Sequence, residues 1–234
     1  MTNRPVCVVV GIGPGNGAAF ARAFDREGYA LALMSRSTAH GDELAKSLTE
    51  ARTFACDAAD PASVERAFGE ARVALGEPEV VIYNAGGGVF AGFESTKLAD
   101  FESAWRVNAL GAFAVAKQVV PAMKRAGKGT LVFVGATASL RGGPMTSAFA
   151  PAKAAQRSLA EALAREHWPA GVHVALLVID GVVDLPRTRS RMADKPDEFF
   201  VKPDDVAASA VALAKQPRST WSFELVARPF GERW

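Results

Sequence analysis

Apolar positions along this chain fall into two alternating regimes. Short runs that are apolar at nearly every position, "VCVVV" (6–10), "ALALM" (30–34), "RTFAC" (52–56), "EVVIY" (79–83), "TLVFV" (130–134), "HVALLVI" (173–179) and "SFELV" (222–226), read as strands. A strand apolar on both faces belongs in a parallel sheet covered on both sides. Between these runs the apolar residues recur at helical spacing, over about 17–27, 42–50, 62–75, 99–126, 149–167 and 204–215. Strand–helix alternation of this kind predicts an α/β fold: a doubly wound parallel sheet of about seven strands with helices on both faces. No Ser/Pro-rich linker, repeat or change of composition interrupts it, so residues 1–234 are expected to form one domain. The segment 181–202, "GVVDLPRTRSRMADKPDEFFVK", is the least regular. It follows the sixth strand's carboxyl end, where such sheets place ligands, and is expected to act as a substrate lid.

Composition narrows the picture by exclusion. Of 234 residues, 49% are hydrophobic and 22% charged, which is ordinary for a globular protein. A net charge of +2 without a basic run gives no footprint for nucleic acid. No apolar run approaches the roughly 18 residues of a membrane span, and no membrane partner is expected. The N-terminal "MTNRPVCVVVGIGPGNG" passes into a glycine loop rather than a cleavage site and reads as a first strand, not a signal peptide. Cys7 and Cys56 lack ligand-like spacing and are expected to be buried, reduced thiols in a cytoplasmic protein. His40, His167 and His173 form no metal motif.

Chemistry enters at "VVVGIGPGNGAAFARAF", where a strand, a glycine loop and a helix follow one another. Gly11, Gly15 and Gly17 let the backbone approach a pyrophosphate, and the helix beginning near Asn16 turns free N–H groups and its positive dipole end toward that anion. Where such folds carry an acidic residue after the second strand to bind a ribose 2′-hydroxyl, this chain has Ser35 and Arg36. A guanidinium suits a 2′-phosphate, so NADP(H) is favoured over NAD(H).

With these elements the chain resembles the short-chain dehydrogenase/reductase family along nearly its whole length. The glycine loop matches, with Val10 in place of the family's threonine. Asp57 in "FACDAAD" matches an aspartate that contacts adenine. Asn84, Ala85 and Gly86 in "YNAGG" match the element after the fourth strand, Tyr83 replacing its first asparagine. Asn108 in "VNALGAF" matches an asparagine that supports a water-mediated proton relay. Lys153 matches the lysine that holds the nicotinamide ribose and lowers the pKa of the catalytic tyrosine. The resemblance implies a Rossmann-like fold, a nicotinamide cofactor that Val183 also contacts, a small-molecule substrate, and a homodimer or homotetramer built on helices 99–126 and 149–167.

The departures fall on the chemistry. The family's Tyr-x3-Lys is here Phe149-Ala-Pro-Ala-Lys153, and the catalytic serine position is Ala136. Asp180-Gly181 replaces a Pro-Gly, and the threonine that grips the carboxamide becomes Leu185. Loss of an oxyanion donor slows such chemistry about 10²–10³-fold and loss of the general acid about 10²–10⁴-fold. Tyr29 and Tyr83 are the chain's only tyrosines; one lies before the second strand and the other is expected below the nicotinamide. Ser139, three residues beyond the lost serine, is the replacement hydroxyl to consider; otherwise Thr137 and Ser139 satisfy their own loop and Ser147 caps the next helix. Phe149 is expected to shape the pocket beside the nicotinamide. Two readings stay open: an NADP(H)-dependent oxidoreductase with altered catalytic residues acting on a small carbonyl or imine, and an inactive NADP(H)-binding sensor or partner subunit. A lyase reusing the pocket is the remaining possibility. "RPFGERW" at the C-terminus suggests no chemistry.

Overall fold

The structure, a computed structural model, describes residues 3–231; the end of "RPFGERW" lies outside them. Seven strands form one parallel sheet: β1 (Val6–Val10), β2 (Ala30–Ser35), β3 (Ala51–Ala55), β4 (Pro78–Tyr83), β5 (Gly129–Ala136), β6 (Val172–Ile179) and β9 (Glu224–Ala227). Their spatial order is β3-β2-β1-β4-β5-β6-β9. The order reverses direction between β1 and β4, which opens a crevice at the strands' carboxyl ends.

Full burial explains why the strands do not alternate in sequence. Val6, Val8 and Val10 face one core with α3 (Pro61–Leu75), α5 (Gly111–Ala126) and α6 (Phe149–His167). Cys7 and Val9 face the other, with α1 (Asn16–Arg26) and α8 (Pro203–Ala214). Each successive side chain changes face, yet both faces are dry. Both cysteines are free and buried; Cys56 sits just beyond β3 rather than within it. Among the described residues no helix is long and apolar enough to cross a membrane.

Three expectations from the periodicity are corrected. The region expected as one helix over 99–126 is α4 (Leu98–Trp105), a π-helical turn (Arg106–Leu110) and α5. The cause is Asn108: its buried Nδ2 donates to the Ala104 carbonyl at 2.8 Å, the acceptor its own backbone N–H would use in an α-helix. The helix expected over 42–50 is α2 (Ala39–Ala45), and its exit is frayed by Ser47, whose hydroxyl takes the Leu44 carbonyl at 2.8 Å. Finally, the irregular segment 181–202 contains β7 (Val182–Val183), α7 (Pro186–Arg191) and β8 (Phe200–Val201), with β7 and β8 paired in parallel as a second small sheet.

Candidate functional site

The glycine loop is wedged into the crevice by backbone contacts. Gly11 sits at φ +99°, where a side chain is strained, and a Cβ there would lie 2.5 Å from the Ala85 nitrogen. A Cβ on Gly17 would lie 2.5 Å from the Gly11 carbonyl oxygen. Asn84 locks the arrangement from β4, its Nδ2 donating to that same oxygen at 2.7 Å. No side chain caps α1, so its first N–H groups face a cavity of about 990 Å³. Asn16 Oδ1 is buried beside it without a partner. The cavity also collects Arg36, Asp57, Ala85, Gly86 and, from the segment 181–202, Leu185. Arg36 is exposed after β2 and makes no hydrogen bond or ion pair with a described residue. Asp57 is oriented by its own turn, accepting from the Ala59 N–H at 2.9 Å. Leu185 leans over the loop, its Cδ2 only 2.5 Å from where a Gly15 Cβ would stand.

Lys153 and Asn108 meet behind Gly86, which lines the cavity. Lys153, on α6, is 5% exposed, and its Nζ donates to the Val134 carbonyl at 2.9 Å and to Gln156 Oε1 at 3.0 Å. Burial pulls its pKa down to about 7. Asn108 Nδ2 donates to the Gly87 carbonyl at 2.6 Å as well as to Ala104, which leaves its Oδ1 buried and unpartnered. A Cβ on Gly86 would lie 3.2 Å from that Oδ1 and 3.3 Å from Lys153 Nζ, so both pack against Gly86.

Around this pair the hydroxyls are committed elsewhere. Phe149 opens α6, stacks at a tilt on Phe90 with ring centroids 5.2 Å apart, and leaves Gly88 no room for a Cβ. Its ring centroid is 6.0 Å from Lys153 Nζ. Ala136 ends β5, and its N–H donates to the Ser139 hydroxyl at 3.1 Å, so Ser139 does serve its own loop. Thr137 does not: it donates to Asp180 Oδ1 at 2.6 Å. Nor does Ser147 cap α6, whose N-cap is Ala148; Ser147 pairs with Thr96 at 2.9 Å, because the chain pairing at Ala91 and Thr146 brings those segments together. Tyr83 is fully buried and donates to the Val107 carbonyl, away from the cavity.

Residues that sequence reasoning passed over surround this core. Asp180, 2% exposed, gathers Thr137, Arg141 and Arg228. Burial would raise its pKa, but those partners outweigh it and hold the carboxyl below the usual range. Arg228 belongs to the C-terminal stretch that suggested no chemistry, and nothing in its surroundings in sequence points to Asp180. In the segment 181–202, Arg189 grips Asp184 at 2.6 and 2.9 Å, and Lys202 reaches the same carboxylate at 2.6 Å. These donors hold Asp184 well below the usual carboxylate range. The brace lies between Val183 and Leu185 and holds Leu185 at the cavity's rim.

Comparison with known proteins agrees with this geometry. The family described as short chain dehydrogenase matches residues 5–196. The D-threitol dehydrogenase of Mycolicibacterium smegmatis is 29% identical over 221 residues, 89% of this chain and 85% of that protein. The inactive 2-(S)-hydroxypropyl-CoM dehydrogenase 2 of Xanthobacter autotrophicus is 28% identical over 82% of this chain and 90% of its own length. Among solved structures, an alcohol dehydrogenase from Thermococcus sibiricus complexed with 5-hydroxy-NADP superposes with a TM-score of 0.87 at 30% identity, covering 98% of each chain. A glycine cradle at the sheet's reversal point, a buried lysine and asparagine behind it, and a family match over most of the length lead to one conclusion: this chain belongs to the short-chain dehydrogenase/reductase family.

Proposed function

We propose that the chain is an NADP(H)-dependent oxidoreductase with altered catalytic residues, acting on a small carbonyl or imine. The observation that carries the cofactor preference is Arg36, a guanidinium without a partner among the described residues, at the cavity's edge where a carboxylate would select NAD(H). The residues present fit such a nucleotide. Gly11, Gly15, Asn16 and Gly17 line the cavity, the glycines packed too closely against Ala85, Leu185 and the Gly11 carbonyl to carry a Cβ, and Asn16 Oδ1 and Asn108 Oδ1 are buried without a partner among the described residues. Gly11 to Gly17 would hold the diphosphate, Arg36 the 2′-phosphate, Asp57 the adenine, Asn84 to Gly86 and Val183 the nicotinamide half, and Lys153 its ribose. The cofactor supplies a hydride when bound.

What this chain's residues supply is position and dryness more than a proton. Phe149 presents a hydrocarbon face, and Ala136 offers no hydroxyl, so a substrate needing little acid assistance, such as an iminium or an activated carbonyl, suits the site. The relative from Thermococcus sibiricus is described with an NADP derivative, and the one from Mycolicibacterium smegmatis as a dehydrogenase. A specific observation favours the second reading, an inactive NADP(H)-binding sensor or subunit: Ser139, Thr137, Ser147 and Tyr83 are all engaged within the protein. One relative is itself described as inactive.

The experiment is NADPH oxidation against a panel of carbonyls and imines, parent beside the double variant Ala136→Ser/Phe149→Tyr. Turnover of an imine or activated carbonyl by the parent supports the oxidoreductase. No turnover by the parent and a gain of at least 10²-fold in the variant supports the binding protein, since only the donors were missing. Parent activity on simple ketones equal to the variant's would contradict both. A homodimer or homotetramer on α4, α5 and α6 is part of the proposal, supported by exposed Phe101, Trp105 and Phe113; sedimentation as a monomer would remove it.

A further inference from the structure

Packed beneath Lys153 is Gln156, one turn further along α6 and fully buried. Its two ends face groups of opposite demand. Lys153 Nζ donates to the atom 3.0 Å away, the amide oxygen. The Asn108 carbonyl can only accept, so the atom 3.2 Å from it must be the amide nitrogen. A carboxamide is the side chain that satisfies both at once. A hydrocarbon would leave a buried donor and a buried carbonyl bare, and a carboxylate would turn an oxygen toward an oxygen. The carbonyl it serves belongs to the π-helical turn, a widening of the helix of the kind that recurs at functional sites.

We propose that Gln156 is a positioning residue for Lys153: its carboxamide fixes the Nζ behind Gly86 and couples it to the Asn108 turn. The proposal rests on the reading that Lys153 faces the bound nucleotide, but its geometry stands without one. Lys153 has only neutral partners, the Val134 carbonyl and Gln156 Oε1. The lowering of its pKa to about 7 comes from burial alone. Of the charged or titratable groups on the packed elements, Asp100 lines the cavity, and Glu102, Arg106, Lys117, Lys124 and Arg125 on the α4–α5 segment and Arg165 and Glu166 on α6 are exposed. Arg157 and Glu161 are half-buried, His167 is buried at the far end of α6, and β5 carries none. Gln156 is therefore the neighbour through which the lysine's charge can be changed with least disturbance.

The test uses full-length protein labelled with ¹³C at lysine Cε, titrated by NMR without cofactor, the Lys153 signal being assigned by its absence in Lys153→Arg. In Gln156→Glu, equal in size, the Lys153 midpoint is expected to rise by at least one pH unit over the parent's. In Gln156→Leu it is expected to fall; if that variant does not fold, the Glu variant decides. A purely structural Gln156 would lower melting temperatures without moving the midpoint in Gln156→Leu, and an unmoved midpoint in Gln156→Glu would put this position out of reach of Nζ; either result overturns the proposal. NADPH calorimetry on the same samples separates the two claims. Absence of NADPH binding in the parent removes the proposed function, while the lysine titration still judges Gln156.

Discussion

Alanine at Gly17 and alanine at Gly13 should behave as opposites, although both glycines lie in one loop. A Cβ on Gly17 would stand 2.5 Å from the Gly11 oxygen and 2.9 Å from Ile12 Cα. Both are backbone atoms, and ordinary contact begins near 3.4 Å, so the loop must withdraw from α1 by about 0.9 Å. Overpacking of this kind costs about 1–3 kcal/mol. At about 2 kcal/mol, NADPH affinity falls about 30-fold if the whole cost lands on binding. If it lands on stability instead, the melting temperature falls by about 4–8 °C for a chain of this size. A Cβ on Gly13 would meet nothing within 4 Å, and its φ lies outside the left-handed region. Gly13→Ala should therefore bind within about three-fold of the parent and melt no lower, since it also removes freedom from the unfolded chain, an effect of about 0.4–1 kcal/mol. Calorimetry with NADPH and a thermal melt on each variant read both quantities. Parent-like affinity and stability in Gly17→Ala, or equal losses in the two variants, would refute the loop's proposed role.

Two further outcomes follow from single residues. Arg36→Ala should weaken NADPH about ten-fold and NADH within two-fold, because a charge-assisted contact to the 2′-phosphate is removed and nothing else is touched; equal effects in parallel titrations would detach Arg36 from the phosphate. His173 is stacked on Trp221 at 4.7 Å, and burial pushes its pKa below the usual 6.5, only partly offset by backbone hydrogen bonds. The folded state therefore binds the proton less readily than the unfolded chain, and His173's contribution is intact above pH 6.5 and lost as pH falls below it. Urea midpoints at pH 5.5 and 7.5 should differ more in the parent than in His173→Gln; an unchanged difference would show that the imidazole plays no part.

The fold was legible because its signal is redundant. Seven apolar runs such as "VCVVV" separated by helical patterns leave few alternatives to a covered parallel sheet, and each run contains or borders a strand of that sheet. The glycine loop was legible for the same reason, since its position between strand and helix narrows its meaning. What could not be read were features that periodicity averages out. One asparagine side chain, Asn108, converts an expected long helix into two with a π turn between them. Thr137 and Ser147 look like local caps in sequence, but their partners, Asp180 and Thr96, are 43 and 51 residues away. Gln156 carries no motif; only the fold places its two ends against Lys153 and Asn108. The brace of Asp184 by Arg189 and Lys202 lies in the segment whose lack of periodicity offered no pairing to read.

If the crevice between β1 and β4 holds a phosphorylated nicotinamide nucleotide, titration calorimetry of the purified, folded chain will detect it. Saturable heat with NADPH at one site per chain, and weaker binding of NADH, is the expected result. No heat with either nucleotide, from protein that melts cooperatively, would contradict it.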